Sequence, residues 1–309
     1  MQTVLITGGT GMVGQSLTTH LLAQGYKVII VSRSNSNKIL AGVTYAQWDV
    51  TKEIMDIPAL QKADIIVHLA GAGVAEKRWS VKRKKEILDS RVDAGNFLVK
   101  LLSSHTHKVK TVISASAIGW YGPDSPQSIQ HGFQETDPVD PSFLGNTCNR
   151  WEQSVQPLVP LGIRLITLRI GIVLNPKGGA LLEFIKPAKF GWATILGTGK
   201  QMISWIHQTD LCRMIQYGIE NESMRGVYNA VSPHPVSNKE LVKVVAGQLH
   251  SFYIPILVPS IMLKIMLGEM SIEVLKSAKV SSEKIQSQGF QFSYAHIKEA
   301  IQNLLSINF

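Results

Sequence analysis

A chain of 309 residues with 45% hydrophobic content can bury a large α/β core with a smaller second lobe, and its moderate charge excludes a disordered chain. Its two cysteines, Cys148 and Cys212, are far apart and form no C-x-x-C, which excludes a disulfide framework and a cysteine-rich zinc site. The net charge of +9 is densest in EKRWSVKRKKE, residues 76–86; without an aromatic ladder this reads as a solvated helix face or a site for a phosphate-bearing ligand, ahead of nucleic acid.

Met1 and Gln2 lead into TVLIT, a strand, so no secretory leader is expected and a reducing, cytoplasmic setting fits. Apolar, β-branched runs at 4–7, 27–32, 64–71, 109–116 and 163–171 read as strands buried on both faces. Helix-like stretches at 12–24, 80–104 and 143–155 alternate with them, which predicts an α/β fold with a doubly wound parallel sheet. Residues 175–204 are loop-rich, with NPKGG at 175–179 and GTGK at 197–200. A strand at 202–207, a helix at 209–220 and a strand at 228–231 follow; from there the chain is mostly helical, with Asn238 or the competing Ser237 as an N-cap. IPILVPSIMLKIMLGEM, residues 254–270, is broken by Pro255, Pro259 and Lys264 and falls short of the roughly 20 residues of a spanning helix. It reads as a loop and a buried helix, and no membrane partner is expected. The expected organisation is a cofactor domain at 1–174, rejoined by 205–231, and a smaller, mostly helical C-terminal substrate lobe at 175–204 and 232–309.

TGGTGMVG, residues 7–14, sits between the first strand and the first helix. Gly8 allows the tight turn, Gly11 lets backbone approach a pyrophosphate, and Gly14 lets helix and strand pack closely. The helix N-terminus then faces the anion. At the end of the second strand an acid would bind the ribose 2′-hydroxyl of NAD, but Ser32-Arg33-Ser34 stands there. Arg33 can pair with a 2′-phosphate, which predicts NADP(H); the alternative is a surface arginine over the adenine. Asp49 either contacts the adenine edge or caps a turn.

These motifs, with HLAGAG (68–73) and SWIH before Asp210, resemble the short-chain dehydrogenase/reductase superfamily in its extended, sugar-nucleotide-epimerase-like form. More closely, the chain resembles the "epimerase family" branch with a C-terminal DUF1731-type domain, through stretches such as SAS–IG–YG (114–122), RWE (150–152), GIVL–P–GGAL (171–182) and LGEM (267–270). The resemblance implies a Rossmann-type fold and bound NADP(H). It places cofactor contacts on Gly8, Gly11, Met12, Val13, Gly14, Ser32, Arg33, Leu69, Ala70 and Gly71, with Ser114 beside them. It adds Glu86 and Arg91 on the long helix and Val173 near the nicotinamide; Arg91 has the alternative of a solvated arginine paired with Asp89 or Asp93.

In superfamily enzymes a tyrosine exchanges the proton and a lysine one helical turn later lowers its pKa. Counting back from Glu152 puts Leu144 and Cys148 at those places, and SFLGNTCNRWE (142–152) contains neither tyrosine nor lysine. Ser116 and Tyr121 are the candidates for a residual catalytic edge; the alternative for Tyr121 is an aromatic on the cofactor rim. Trp205 and His207, with Gln201 and Arg169, are candidates for a substrate pocket. The first reading is an NADP(H)-dependent oxidoreductase or epimerase-like enzyme on a small polar or sugar-nucleotide-like substrate. The second is a non-catalytic NADP(H)-binding regulator or scaffold. A monomer or a homodimer is expected.

Overall fold

Residues 1–33 and 40–306 are described by the computed structural model. In chain order the first part holds β1 (Thr3–Thr7), α1 (Met12–Ala23), β2 (Lys27–Ser32), β3 (Val43–Asp49), β4 (Ile54–Met55), α2 (Ile57–Lys62), β5 (Ile65–His68), α3 (Val81–Ser104), β6 (Thr111–Ala117), α4 (Pro126–His131), α5 (Phe143–Val155), β7 (Arg164–Ile170) and β8 (Ile172–Leu174). It continues with α6 (Gly179–Ala188), β9 (Trp192–Leu196), β10 (Met202–Ile203), β11 (Trp205–His207), α7 (Gln208–Glu220), β12 (Gly226–Ala230), β13 (Val236–Ser237), α8 (Asn238–Leu249), β14 (Ile254–Val258), α9 (Ser260–Leu267), α10 (Ser271–Leu275), α11 (Glu283–Ser287) and α12 (Ile297–Ser306).

Every residue of β1 is buried, as the apolar run TVLIT requires of a central strand. The eight-stranded sheet has the order β12-β7-β6-β5-β1-β2-β3-β4, and only β4 runs antiparallel to its neighbour. Val4 lies opposite both Val28 and Ile65. Successive side chains enter opposite layers. Val4 and Ile6 join Leu17 and Leu21 of α1 and Leu211 and Met214 of α7. Leu5, Ile29 and Ile66 join Leu60 of α2 and Leu98 and Leu101 of α3. Helices on both faces make this a Rossmann-type doubly wound sheet, as expected.

A second core gathers Leu181, Ile185, Trp205, Leu241, Val245 and Ile301 from α6, β11, α8 and α12. Between it and the sheet runs a strap, residues 276–282. Ser277 Oγ and the Lys279 N–H donate to Asp124 at 2.6 and 2.8 Å. Ser204 Oγ donates to Ala278 O at 2.8 Å and accepts from the Val280 N–H at 2.9 Å.

The structure departs from the sequence reading in several elements, and the segment 175–204, expected to be loop-rich, holds α6 and β9. The strand expected at 202–207 is two strands in separate sheets, split at Ser204, whose hydroxyl is spent on the strap. Ser237, not Asn238, caps α8 by accepting from the Glu240 N–H; the Asn238 amide oxygen accepts from the Leu196 N–H instead. The helix expected to be buried within 254–270 is α9, and of its residues only Leu263 is buried.

Candidate active site

The site is built from the carboxyl ends of the parallel strands, where ligands bind in open α/β sheets. Gly8 has φ +69°, and a Cβ there would lie 2.7 Å from Leu69 O. A Cβ on Gly14 would lie 2.5 Å from both Gly8 O and Gly9 Cα, so backbone fills that space. Gly11 begins α1 with no side-chain cap and no acid in the first turn. The first N–H groups of α1 therefore have no carboxylate competing for them, and the positive end of the helix is open to an anion. This cradle has the shape and polarity that a dinucleotide pyrophosphate requires.

Arg33 is exposed at the end of β2, and among the described residues it forms no ion pair. Ser32 beside it is half-buried; Ser34 lies outside the described residues. Asp49 Oδ1 accepts from the Thr51 and Lys52 N–H groups at 3.1 and 3.2 Å, so this side chain closes the turn after β3. Val173 and Met12 meet at Gly179: a Cβ there would be 3.8 Å from Val173 O and 3.4 Å from Met12 Cε.

Strand β5 stops at His68, before the expected end at 71, and Leu69–Gly71 leave the sheet at the cradle. The Ala70 N–H bonds Thr7 Oγ1 at 3.3 Å, and Thr7 Oγ1 also meets His68 Nδ1 at 2.8 Å. Arg91 is buried and braces this loop. Its Nη1 donates to Ala72 O at 3.0 Å and Ile87 O at 2.9 Å, and its guanidinium lies 5.0 Å from the Trp151 ring centroid. It is not the solvated partner of Asp89 or Asp93. Glu86 is exposed and pairs with Arg83 at 2.8 Å; Arg83 also donates to Gly73 O and reaches Glu76 at 3.1 Å. Glu86 is thus engaged with Arg83 and Arg91 with the loop backbone, five residues apart on α3.

Below the end of β6 lies a buried polar network. Arg169 Nε and Nη2 hold Glu152 at 2.8 and 3.0 Å. Ser116 Oγ donates to Glu152 Oε1 at 2.7 Å. Tyr121 Oη donates to Asn229 Oδ1 at 2.7 Å and accepts from Arg169 Nη1 at 3.1 Å. Tyr121 has no exposed surface, and burial raises its pKa. Ser114 Oγ donates to Ala115 O at 3.2 Å inside the same layer. The Glu152–Arg169 pair is the feature sequence reasoning missed as a unit; its signal was a carboxylate in α5 and an arginine inside the apolar strand IRLITLRIG.

Leu144 and Cys148 pack beneath residues 117–119: a Cβ on Gly119 would lie 3.1 Å from Leu144 Cβ and 3.5 Å from Cys148 Sγ. The Cys148 thiol donates to Ala117 O at 3.5 Å, and burial pushes its pKa up to about 12. Leucine has no titratable group, and a thiol held protonated by burial does not ionise at neutral pH.

The expected pocket residues lie elsewhere. Trp205 is fully buried in the second core, with Nε1 donating to His234 O at 3.0 Å. Buried His207 caps α7, accepting from the Thr209 N–H at Nδ1, and stacks on Tyr294 at 3.9 Å. Burial pushes its pKa down to about 4. Their burial removes both from the lining of an open pocket, because the second lobe needs their rings as core. Gln201 Nε2 is spent on Leu196 O. A cleft of about 620 Å³ does open beside the cradle, between Met12, Gln15 and Ser16 of α1, Asn175 and Lys177, and Gln208 of α7.

Comparison with known proteins places this geometry. The model of the NAD dependent epimerase/dehydratase family matches residues 4–230, and that of a domain of unknown function, DUF1731, matches 258–304. The chain is 36% identical over 305 residues to the epimerase family protein YfhF of Bacillus subtilis, covering 98% of each. It is 34% identical over 306 residues to the epimerase family protein SAR0825 of Staphylococcus aureus, covering 99% of this chain and 100% of the relative. Among solved structures, human epimerase family protein SDR39U1 with NADPH superposes with a TM-score of 0.86 at 26% identity over 100% of both chains. A nucleoside-diphosphate sugar epimerase from Corynebacterium glutamicum gives a TM-score of 0.76 at 29% identity, covering 99% of this chain and 58% of that one.

Proposed function

The chain belongs to the NAD dependent epimerase/dehydratase family, and from that membership we propose that it binds NADP(H) at the glycine cradle as a hydride carrier for a small polar substrate. The observation that carries the reading is the uncapped, acid-free start of α1 over Gly8 and Gly14, with exposed Arg33 at the end of β2. Met12 and Val13 offer N–H groups to the pyrophosphate, Arg33 takes the 2′-phosphate, and Leu69–Gly71, braced by Arg91, flank the dinucleotide. The human relative solved with NADPH is in line with this cofactor. Bound NADP(H) supplies a transferable hydride at its nicotinamide ring. No tyrosine–lysine pair assists: Leu144 and Cys148 wall the site, while Ser116 and Tyr121 hold Glu152 and Arg169 in place as positioning groups, so the proton comes from substrate or water. The substrate class is a sugar nucleotide or similar polar molecule, by family membership alone.

One observation favours a second reading. The hydroxyls of Ser116 and Tyr121 are both committed inside the Glu152–Arg169 network. In this reading NADP(H) is a structural ligand that fixes one conformation for a protein partner.

The test is NADPH oxidation. Purified protein is loaded with NADPH, binding is confirmed by fluorescence, and absorbance loss is followed across carbonyl compounds and sugar nucleotides. Substrate-dependent oxidation supports the hydride carrier; tight binding with no oxidation across the panel supports the regulator.

A further inference from the structure

The family assignment says nothing about the outer face of the second lobe. In α9, Ile261, Met262, Ile265 and Met266 are 70%, 49%, 71% and 61% exposed. An eight-residue helix that buries one side chain is not held by a core beneath it. In β14, which leads into α9, Leu257 is exposed on one face, and on the other Ile254 is exposed beside its register partner Trp192, with exposed Phe190 two residues before it. Isolated exposed apolar residues are ordinary, but four on one face of a short helix mark a binding surface.

Cations stand at both ends of this surface. At the carboxyl end of α9, Lys84 bridges to Glu269 at 2.9 Å, and the Arg78 guanidinium packs on Gly268. That docks the basic segment against the helix end, with Lys77, Arg78 and Lys82 exposed; Lys85, also exposed, is paired with Asp89. At the amino end, Gly197 packs on Ser260, and the same turn runs through Gly199, against Lys239, to exposed Lys200. Lys264 is exposed on α9 itself.

We propose that α9, β14 and the flanking basic segment 77–85 form a docking surface for an anionic lipid bilayer. The apolar side chains enter the headgroup boundary and the lysines and arginines pair with lipid phosphates. Charge selects this occupant: a second copy placed face to face would bring two basic segments of the same sign together, whereas an anionic surface neutralises them. No helix among the described residues is long and apolar enough to cross a membrane. This stands independently of the cofactor reading.

The test is flotation of the full chain with phosphatidylcholine vesicles, with and without phosphatidylglycerol. The expected result is co-flotation with the anionic vesicles only, weakened by added salt. The double variant Ile265→Asp/Met266→Asp is expected to lower the bound fraction about tenfold. Lys77→Glu/Lys82→Glu is expected to do at least the same, each basic residue near the surface contributing roughly fivefold. Both variants should keep the wild-type urea midpoint and NADPH binding, since none of the four side chains is buried. The proposal is overturned by absence of flotation with either vesicle, or by binding that neither variant weakens. It is equally overturned if the apolar variant leaves flotation unchanged and turns a dimer into a monomer, which assigns the face to a second copy.

Discussion

Glu152 and Arg169 are a buried ion pair that also fixes Ser116 and Tyr121. Removing one partner leaves the other charge buried and uncompensated, so Glu152→Gln should cost about 3 kcal/mol or more in urea unfolding. Glu152→Gln combined with Arg169→Met should recover part of that loss. An unchanged midpoint in the single variant would mean the pair is not buried as described. His68 gives a second prediction. It is fully buried, and burial pushes its pKa from 6.5 down to about 4. The unfolded chain takes up a proton below about 6.5 that the folded chain refuses until about 4, so the neutral ring favours folding above this window and the advantage is lost as pH falls through it. Between pH 7 and pH 5 the loss from this site should be about 2 kcal/mol. His207 shifts in the same direction. His68→Gln should flatten the pH dependence of the urea midpoint; an unchanged slope would reject the assignment.

Elements set by local chemistry were legible in the sequence. The observed α5 has the expected bounds because Ser142 caps it, accepting from the Gly145 N–H. The β1–α1 cradle was legible because strand, glycine spacing and helix start are adjacent in the chain. Gly14→Ala should therefore weaken NADPH binding at least about tenfold, since its Cβ meets backbone 2.5 Å away and the cradle must move. Titration of the variant checks this; wild-type affinity would remove Gly14 from the cradle. What was not legible depends on distant partners. Ser204 splits a strand because its hydroxyl is taken by residues 74 and 76 positions away. Trp205 and His207 looked like pocket residues because nothing local records that α8 and α12 close over the second core. Hydropathy made α9 a core helix, and only the fold reveals that Ile261, Met262, Ile265 and Met266 stay exposed on it. Tyr121 is the same case, its phenol bonded to Asn229, 108 residues on.

At the scale of the whole molecule, the strap ties the two cores through Asp124, which accepts from Ser277 and Lys279. Asp124→Ala should speed amide exchange in residues 276–282 while leaving β1, β5 and β6 protected; equal exchange in the strap would show that its bonds to Phe133, Met202 and Ser204 hold it without the Asp124 carboxylate. The central claim is that the carboxyl edge of the sheet binds NADP(H) through the α1 cradle and Arg33, with no tyrosine–lysine pair beside it. The most direct measurement is a parallel titration of wild type and Arg33→Asp with NADPH and NADH. A charge-assisted pair with the 2′-phosphate should make NADPH the tighter ligand by about 10- to 100-fold, a preference that Arg33→Asp removes. Equal affinity for the two cofactors, or a preference that survives Arg33→Asp, would contradict the account.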